Sequence, residues 1–137
     1  MDQEQCELLR VSFAKIVRNA DMAAAMFYAR LFTTNPALRA LFKIDMVEQG
    51  KKLMAMLATV VDNLHQFDQI VPTVRELGRQ HVGYGVKGAD YDTMEAALLW
   101  AFDKVLGADF TPAVRDAWTT CYRTLAAEMR SSGASSG

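Results

Sequence analysis

Apolar side chains recur at steps of three and four along almost the whole chain, and this spacing limits the fold more than any other feature. The pattern is cleanest near the C-terminus, in the stripe Val114, Ala117, Trp118, Cys121, Tyr122, Leu125, Ala126 and Met129. A second stripe contains Met46, Gln49, Gly50, Leu53, Met54, Leu57, Val60, Val61 and Leu64. No segment alternates apolar and polar residues over the length of a strand. The sequence therefore predicts an all-α fold with about seven helices.

Helix-capping residues divide the first half of the chain. We expect a first helix over residues 2–18 and a second, capped by Asp21, that ends near Phe32. Pro36 suits the first turn of a short third helix, where its missing N–H costs nothing. The stripe that starts at Met46 forms the fourth helix.

Proline, glycine and aspartate divide the second half in the same way. Pro72 is expected to open the fifth helix, which Gly83 and Gly85 end. Asp90 is expected to cap the sixth helix, and Gly107 to end it. The pair Thr111-Pro112 then begins the last helix.

Length and charge narrow the class of protein. The chain has 137 residues and a formal net charge of −1, with basic and acidic residues interspersed, so we expect no nucleic-acid partner. The longest apolar run, residues 22–29, is far shorter than the roughly 20 residues that a membrane-spanning helix needs. The polar N-terminus does not resemble a secretory signal, and Cys6 and Cys121 form no paired motif. We therefore expect a cytoplasmic protein with one domain over residues 1–130 and a disordered Ser/Gly-rich tail over 131–137.

Two histidines are the residues most able to bind a metal or a cofactor. His65 lies near a predicted helix end among polar residues and is expected to be solvated. His81 follows Gly78 by three residues, so a flat group has room to approach that face. The residues alone leave open whether His81 is a ligand or a structural histidine. Since no phosphate loop, zinc motif or nucleophile motif is present, a bound cofactor must supply any difficult chemistry.

Three stretches together resemble the single-domain bacterial globins that are similar to the haem domain of flavohaemoglobins. The first contains residues 27–32, Pro36, residues 41–42 and residues 49–54. The second contains residues 78–86 and Tyr91, and the third contains Ala117, Trp118 and Tyr122. The resemblance covers roughly residues 5–130. It implies a globin fold around a pocket for haem b.

The resemblance also assigns roles to individual residues. It implies that His81 is the proximal ligand of the haem iron and that Tyr28 and Gln49 lie on the opposite, distal side. It further implies that the haem is surrounded by Phe42, Lys52, Leu53, Tyr84, Val86 and Tyr91.

Gln49 is the one polar residue on an otherwise apolar stripe. A buried amide without a partner costs ~1–3 kcal/mol, and a ligand that carries partial negative charge would satisfy it. The alternative is that Gln49 points to solvent while Tyr28 bonds a backbone carbonyl. For Lys52, a bond to a haem propionate and simple solvation remain alternatives.

One departure concerns the proximal side. The resemblance implies a glutamate in the last helix that assists the proximal histidine, but that position falls at Gly133. Glu128 lies about 140° away around the helix. This departure disfavours peroxidase-like chemistry and favours the holding of a ligand.

Three functions of different classes follow. The first is reversible dioxygen binding at a five-coordinate haem iron, for storage or transport. The second is nitric oxide dioxygenation with electrons from a separate reductase. The third is a haem-free helical interaction module in which Tyr28, Gln49 and His81 have no joint role.

Overall fold

A computed structural model describes the backbone of residues 2–42, 45–83 and 86–136, and the side chains of residues 2–42, 45–80 and 86–130. These residues form α-helices and short 3-10 helices without a strand, so the predicted all-α class is confirmed. The α-helices are α1 (Gln3–Val17), α2 (Ala20–Thr34), α3 (Met46–Asp62), α4 (Val71–Gly83), α5 (Gly88–Leu106) and α6 (Pro112–Ser136). The 3-10 helices are Pro36–Leu41, Leu64–Gln69 and Gly107–Asp109. The second begins at Leu64, where the predicted fourth helix ends, and the third begins at Gly107, which was predicted to end the sixth helix.

Two predicted helix caps are wrong. Asp21 does not cap α2, because that helix begins at Ala20 and Asp21 lies in its first turn. Asp90 does not cap α5, which begins at Gly88; instead its carboxylate accepts the Lys87 backbone N–H at 2.8 Å. In both cases the acidic side chain still lies near the positive end of the helix dipole, where negative charge is favourable.

The other helix ends follow the expected local chemistry. The Asp2 carboxylate accepts the Gln5 backbone N–H at 2.8 Å and so caps α1. The Thr111 hydroxyl accepts the Val114 N–H at 3.2 Å and caps α6. Gly107 has φ of 57° and ψ of −123°, a conformation that glycine adopts without strain, and it ends α5 as predicted.

The hydrophobic core draws residues from all six α-helices, and its largest fully buried side chain, Trp118, lies where α1, α5 and α6 meet. Trp118 of α6 is 1 % exposed, and its ring contacts Phe102 edge-on with the ring centroids 4.8 Å apart. The Trp118 Nε1–H donates to the Ser12 hydroxyl at 2.9 Å, and that hydroxyl donates to the Leu8 carbonyl at 2.7 Å. The one polar group of the tryptophan is therefore satisfied inside the core.

Gly78 lets α4 lie unusually close to α6. A Cβ atom at position 78 would be 2.4 Å from the carbonyl oxygen of Met129. The expectation that this face of α4 is open to a flat group is therefore wrong, because the main chain of α6 covers it. The glycine serves the packing of two helices and positions the turn of α4 that follows it.

α6 extends over most of the segment predicted as a disordered tail. The helix ends at Ser136, while the side chains of residues 131–137 lie outside the described residues. Disorder of this Ser/Gly-rich segment stays a prediction. Among the described residues, no helix has the length and apolar character needed to cross a membrane.

Candidate functional site

A cavity of about 350 Å³ lies between α2, α3, α4, α5 and α6. This volume is within the range of pockets that bind small molecules and cofactors. Its wall is mostly apolar, with a few polar groups from separate helices. The predicted site residues that line it are Tyr28, Phe42, Gln49, Lys52, Leu53, Val86 and Tyr91. Residues far apart in sequence are thus brought to one cavity.

Tyr28 projects from α2 into this cavity and is 6 % exposed. Burial raises the pKa of its hydroxyl to about 12, since the phenolate is poorly solvated there. A hydrogen bond shared with the Gln49 side chain lowers the pKa in part. The hydroxyl therefore stays protonated at neutral pH and is able to donate a hydrogen bond to a ligand.

The crossing of α2 and α3 brings Gln49 close to Tyr28. Gly50, next to Gln49, is so close to α2 that a Cβ atom would lie 3.0 Å from the Cβ of Ala24. Ala24 is one helical turn before Tyr28, so the tight crossing places both polar side chains on the same part of the cavity wall. Gln49 is half-buried there and lines the cavity.

Aromatic rings hold Tyr28 in place. The Phe42 ring meets the Tyr28 ring edge-on at a centroid distance of 5.4 Å, and the Phe32 ring stacks near Tyr28 at 6.0 Å. Phe42 follows a 3-10 helix, and its carbonyl accepts a hydrogen bond from Arg39 at 3.0 Å. Phe42 thus combines a fixed backbone with a ring on the cavity wall.

Tyr91 and Tyr122 form the wall contributed by α5 and α6. The Tyr122 hydroxyl donates to the Tyr91 carbonyl at 2.7 Å. Burial raises the pKa of the Tyr122 hydroxyl. Tyr91 is 5 % exposed; burial also raises its pKa, and the charge of Arg130 lowers it in part. Glu128 lies apart from this wall, because its carboxylate accepts from Arg75 Nε at 3.0 Å.

Lys52, Leu53 and Val86 complete the wall near solvent. Lys52 is exposed, and among the described side chains it has no ion-pair partner within 4 Å. Its neighbour Lys51 pairs with Glu48 at 3.9 Å. A cation at the rim of an apolar cavity suits a ligand that carries a carboxylate.

Three predicted residues need separate mention. The backbone of His81 lies in α4, but its side chain lies outside the described residues, as does the whole of Tyr84. His65 is exposed in the 3-10 helix Leu64–Gln69, in agreement with the expected solvation.

The sequence did not identify a second set of wall residues. These are mainly large apolar side chains of the core that also line the cavity, together with Gln80: Phe27, Leu31, Leu41, Met56, Leu57, Leu77, Gln80, Met94, Leu98, Leu125, Ala126 and Met129. Helical spacing identifies an apolar face but does not show whether another helix or an empty space lies opposite. Their position therefore depends on the tertiary structure.

The helices and this cavity define an all-α domain with an apolar pocket between its helices, and comparison with known proteins gives the family. The globin family model matches residues 25–129, and the chain belongs to the globin family. Membership implies haem binding, and a cavity that combines apolar walls, two hydrogen-bonding groups and a rim cation fits that group.

The curated relatives include two flavohemoproteins. The chain is 26 % identical over 129 residues to the Bacillus subtilis strain 168 flavohemoprotein, covering 92 % of this chain and 32 % of that protein. It is 25 % identical over 129 residues to the Oceanobacillus iheyensis flavohemoprotein, with the same coverage. This chain thus spans about a third of the length of these relatives.

A solved structure shows the same fold. It is described as an engineered carbene transferase, a putative nitric oxide dioxygenase from Rhodothermus marinus, and it matches with a TM-score of 0.90. The match covers 98 % of this chain and 94 % of that chain at 24 % sequence identity. The predicted globin fold is therefore confirmed.

Proposed function

We propose that this globin binds haem b and holds dioxygen reversibly, with Tyr28 and Gln49 as hydrogen-bond donors to the ligand. The observation that carries the proposal is the position of these two side chains, which come from different helices and line one apolar cavity. Haem iron supplies the binding of dioxygen. The protein supplies donors that stabilise the partial negative charge of the bound ligand.

We assign the proximal iron ligand to His81 on the basis of its helix position. Position 81 follows Leu77 by four residues, so the two positions share a face of α4, and Leu77 lines the cavity. Phe42, Leu53, Val86 and Tyr91 would enclose the haem together with Tyr84, and Lys52 would pair with a propionate.

An absorption spectrum tests haem binding and the role of His81. Reconstituted protein should show a Soret band that shifts on reduction and again on oxygenation. His81→Ala should lose this spectrum and recover it when imidazole is added, whereas exposed His65→Ala should behave as the wild type. A wild-type protein that does not take up haem would contradict the proposal.

Oxygen release tests the two donors. Tyr28→Phe should speed release about ten- to hundredfold, because a hydrogen bond to a charged group contributes ~1.5–3 kcal/mol. Gln49→Leu should act in the same direction. Thr33→Ala is the control, since it removes an exposed hydroxyl of the same helix that donates only to the Ala29 carbonyl. If release from Tyr28→Phe matches the wild type, Tyr28 does not hold the ligand.

Nitric oxide dioxygenation is the second candidate function. The names of the relatives favour it, and the same donor pair suits it. The reaction of nitric oxide with dioxygen to nitrate consumes one electron, so a separate reductase would have to restore ferrous haem. Nitrate formed over many turnovers with an added flavin reductase would support this activity. If the protein completes one turnover and then stays ferric although the reductase is present, nitric oxide dioxygenation is excluded and reversible oxygen binding remains the proposed function.

A cytoplasmic location belongs to the same proposal. Cys6 and Cys121 are both free and buried, which suits a reducing compartment. Burial raises the pKa of Cys121 to about 12, so its thiol is unreactive at neutral pH.

A further inference from the structure

Arg130 in the C-terminal part of α6 lies against the wall residue Tyr91. Its guanidinium carbon is 5.2 Å from the centroid of the Tyr91 ring, within the range of a cation–π contact. The same guanidinium donates to the Gly88 carbonyl at 3.0 Å and to the Asp92 carboxylate at 3.2 Å. Three contacts to the first turns of α5 thus fix where the positive charge lies.

Tyr91 is held from α6 at two places. The Tyr122 hydroxyl binds its backbone carbonyl, and Arg130 covers its ring. The other face of the same residue belongs to the cavity wall. A change at Arg130 therefore reaches the cavity through Tyr91 rather than by direct contact.

We propose that Arg130 is a positioning residue for the haem site: it orients the Tyr91 ring and places a positive charge behind the cavity wall that favours ferrous haem. This inference rests on the proposed haem binding. The reduced haem carries one positive charge fewer than the oxidised haem, so a nearby fixed cation stabilises the reduced state. The Asp92 side chain that partners Arg130 is 81 % exposed and offsets this charge only weakly.

The chain offers a matched control on the same pair of helices. Arg123 of α6 donates to Glu95 of α5 at 2.9 Å and therefore makes an equivalent ion pair away from Tyr91. Arg123→Met removes a bridge between α5 and α6 and leaves the Arg130 contact with the Tyr91 ring in place. A purely structural role of Arg130 would make the two variants alike.

The first experiment uses the haem-free protein with ¹³C-labelled tyrosine. Arg130→Met should shift the ring resonances of Tyr91, assigned with Tyr91→Phe, whereas Arg123→Met should leave them unchanged. Arg130→Lys retains a cation and should give a smaller shift; it also serves if Arg130→Met does not fold. Tyr91 resonances that do not respond to either Arg130 variant would overturn the inference, whatever the outcome of haem binding.

The second experiment measures the reduction potential of the haem-loaded protein. At the wild-type midpoint, Arg130→Met should lower the ratio of ferrous to ferric haem about threefold, because a screened cation is lost. Arg130→Lys should recover most of the ratio, and Arg123→Met should change it less than Arg130→Met does, because the Arg123 side chain is 71 % exposed and its charge is well screened. Equal potentials for all four proteins would overturn the electrostatic role while leaving the proposed haem binding intact.

Discussion

Gly78 of α4 lies against the main chain of Met129 in α6, where a Cβ atom at position 78 would be 2.4 Å from the Met129 carbonyl oxygen and 2.7 Å from its Cα. These neighbours are backbone atoms, so no side-chain rotation relieves the contact. Gly78→Ala must separate the two helices and should lower the free energy of unfolding by about 1–3 kcal/mol or more. Urea unfolding of the haem-free protein measures this change.

Gly88→Ala is the control for that experiment. A Cβ atom at Gly88 meets nothing within 4 Å, so this variant should change the free energy of unfolding by less than about 0.5 kcal/mol. If Gly78→Ala lowers the free energy of unfolding no more than Gly88→Ala does, the close contact of α4 and α6 does not constrain the fold.

The Ser12 hydroxyl accepts the hydrogen bond of a buried indole. Ser12→Ala should therefore lower the free energy of unfolding more than a substitution at the surface does. The Trp118 N–H would be left in the core without an acceptor, at an expected cost of about 1–3 kcal/mol. Thr33→Ala is the control, since that exposed hydroxyl donates only to the Ala29 carbonyl of its own helix. Combining Ser12→Ala with Trp118→Phe should cost less than the sum of the single variants. If the double variant instead loses the sum of the two single losses in the free energy of unfolding, this hydrogen bond does not contribute to stability.

Tyr28 should make the protein less stable at alkaline pH. Its pKa is raised from 10.0 to about 12, mainly by burial, so the unfolded chain releases this proton first as the pH rises. Stability is unaffected below pH 10 and falls between about pH 10 and 12. The loss is about 1.4 kcal/mol per pH unit. Unfolding free energies across this range, compared between the wild type and Tyr28→Phe, measure the contribution of Tyr28.

Two comparisons make the assignment to Tyr28 specific. The Tyr28→Phe variant should lose less stability over this pH range, although Cys121 and Tyr122 still contribute. Gln49→Leu should move the Tyr28 titration to still higher pH, because it removes the hydrogen bond that lowers the pKa. If the pKa of the Tyr28 phenol is instead near its ordinary value of 10.0, water reaches this part of the cavity.

Lys52 and Lys51 are neighbours that should differ in their effect on haem retention. Lys52 lies on the cavity rim, whereas Lys51 pairs with Glu48. If Lys52 binds a propionate, Lys52→Met should speed haem loss about two- to fivefold, in line with ~0.5–1 kcal/mol for an exposed ion pair. Transfer of haem to an excess of a globin acceptor measures the rate. Equal rates for Lys52→Met and Lys51→Met would favour a simply solvated Lys52.

The helices were predictable because their signals are local. A stripe such as Trp118, Cys121 and Leu125 specifies a helix through spacing alone, and the predicted cap at Thr111 involves a neighbour within one turn. The predicted caps Asp21 and Asp90 lie two and three residues beyond the observed caps Asn19 and Lys87, since an acidic residue is favourable both at the cap and in the first turn. Sequence alone does not separate these two positions.

The cavity was predictable only where a polar residue interrupts an apolar face. Gln49 stood out for this reason, and the structure brings it to Tyr28. Met94 and Leu98 did not stand out, because an apolar side chain that lines a cavity has the same spacing as one that fills the core. The partner of Gly78 was missed because Met129 lies 51 positions further along the chain.

The position of Met129 and Arg130 also has a consequence for protein synthesis. One residue closes α6 against Gly78, and the next covers the ring of Tyr91. In a nascent chain the aromatic wall residues Phe27, Tyr28 and Phe42 therefore leave the ribosome long before the segment that closes the opposite side. Until Arg130 has emerged, the half-built pocket is an exposed apolar surface of the kind that chaperones bind.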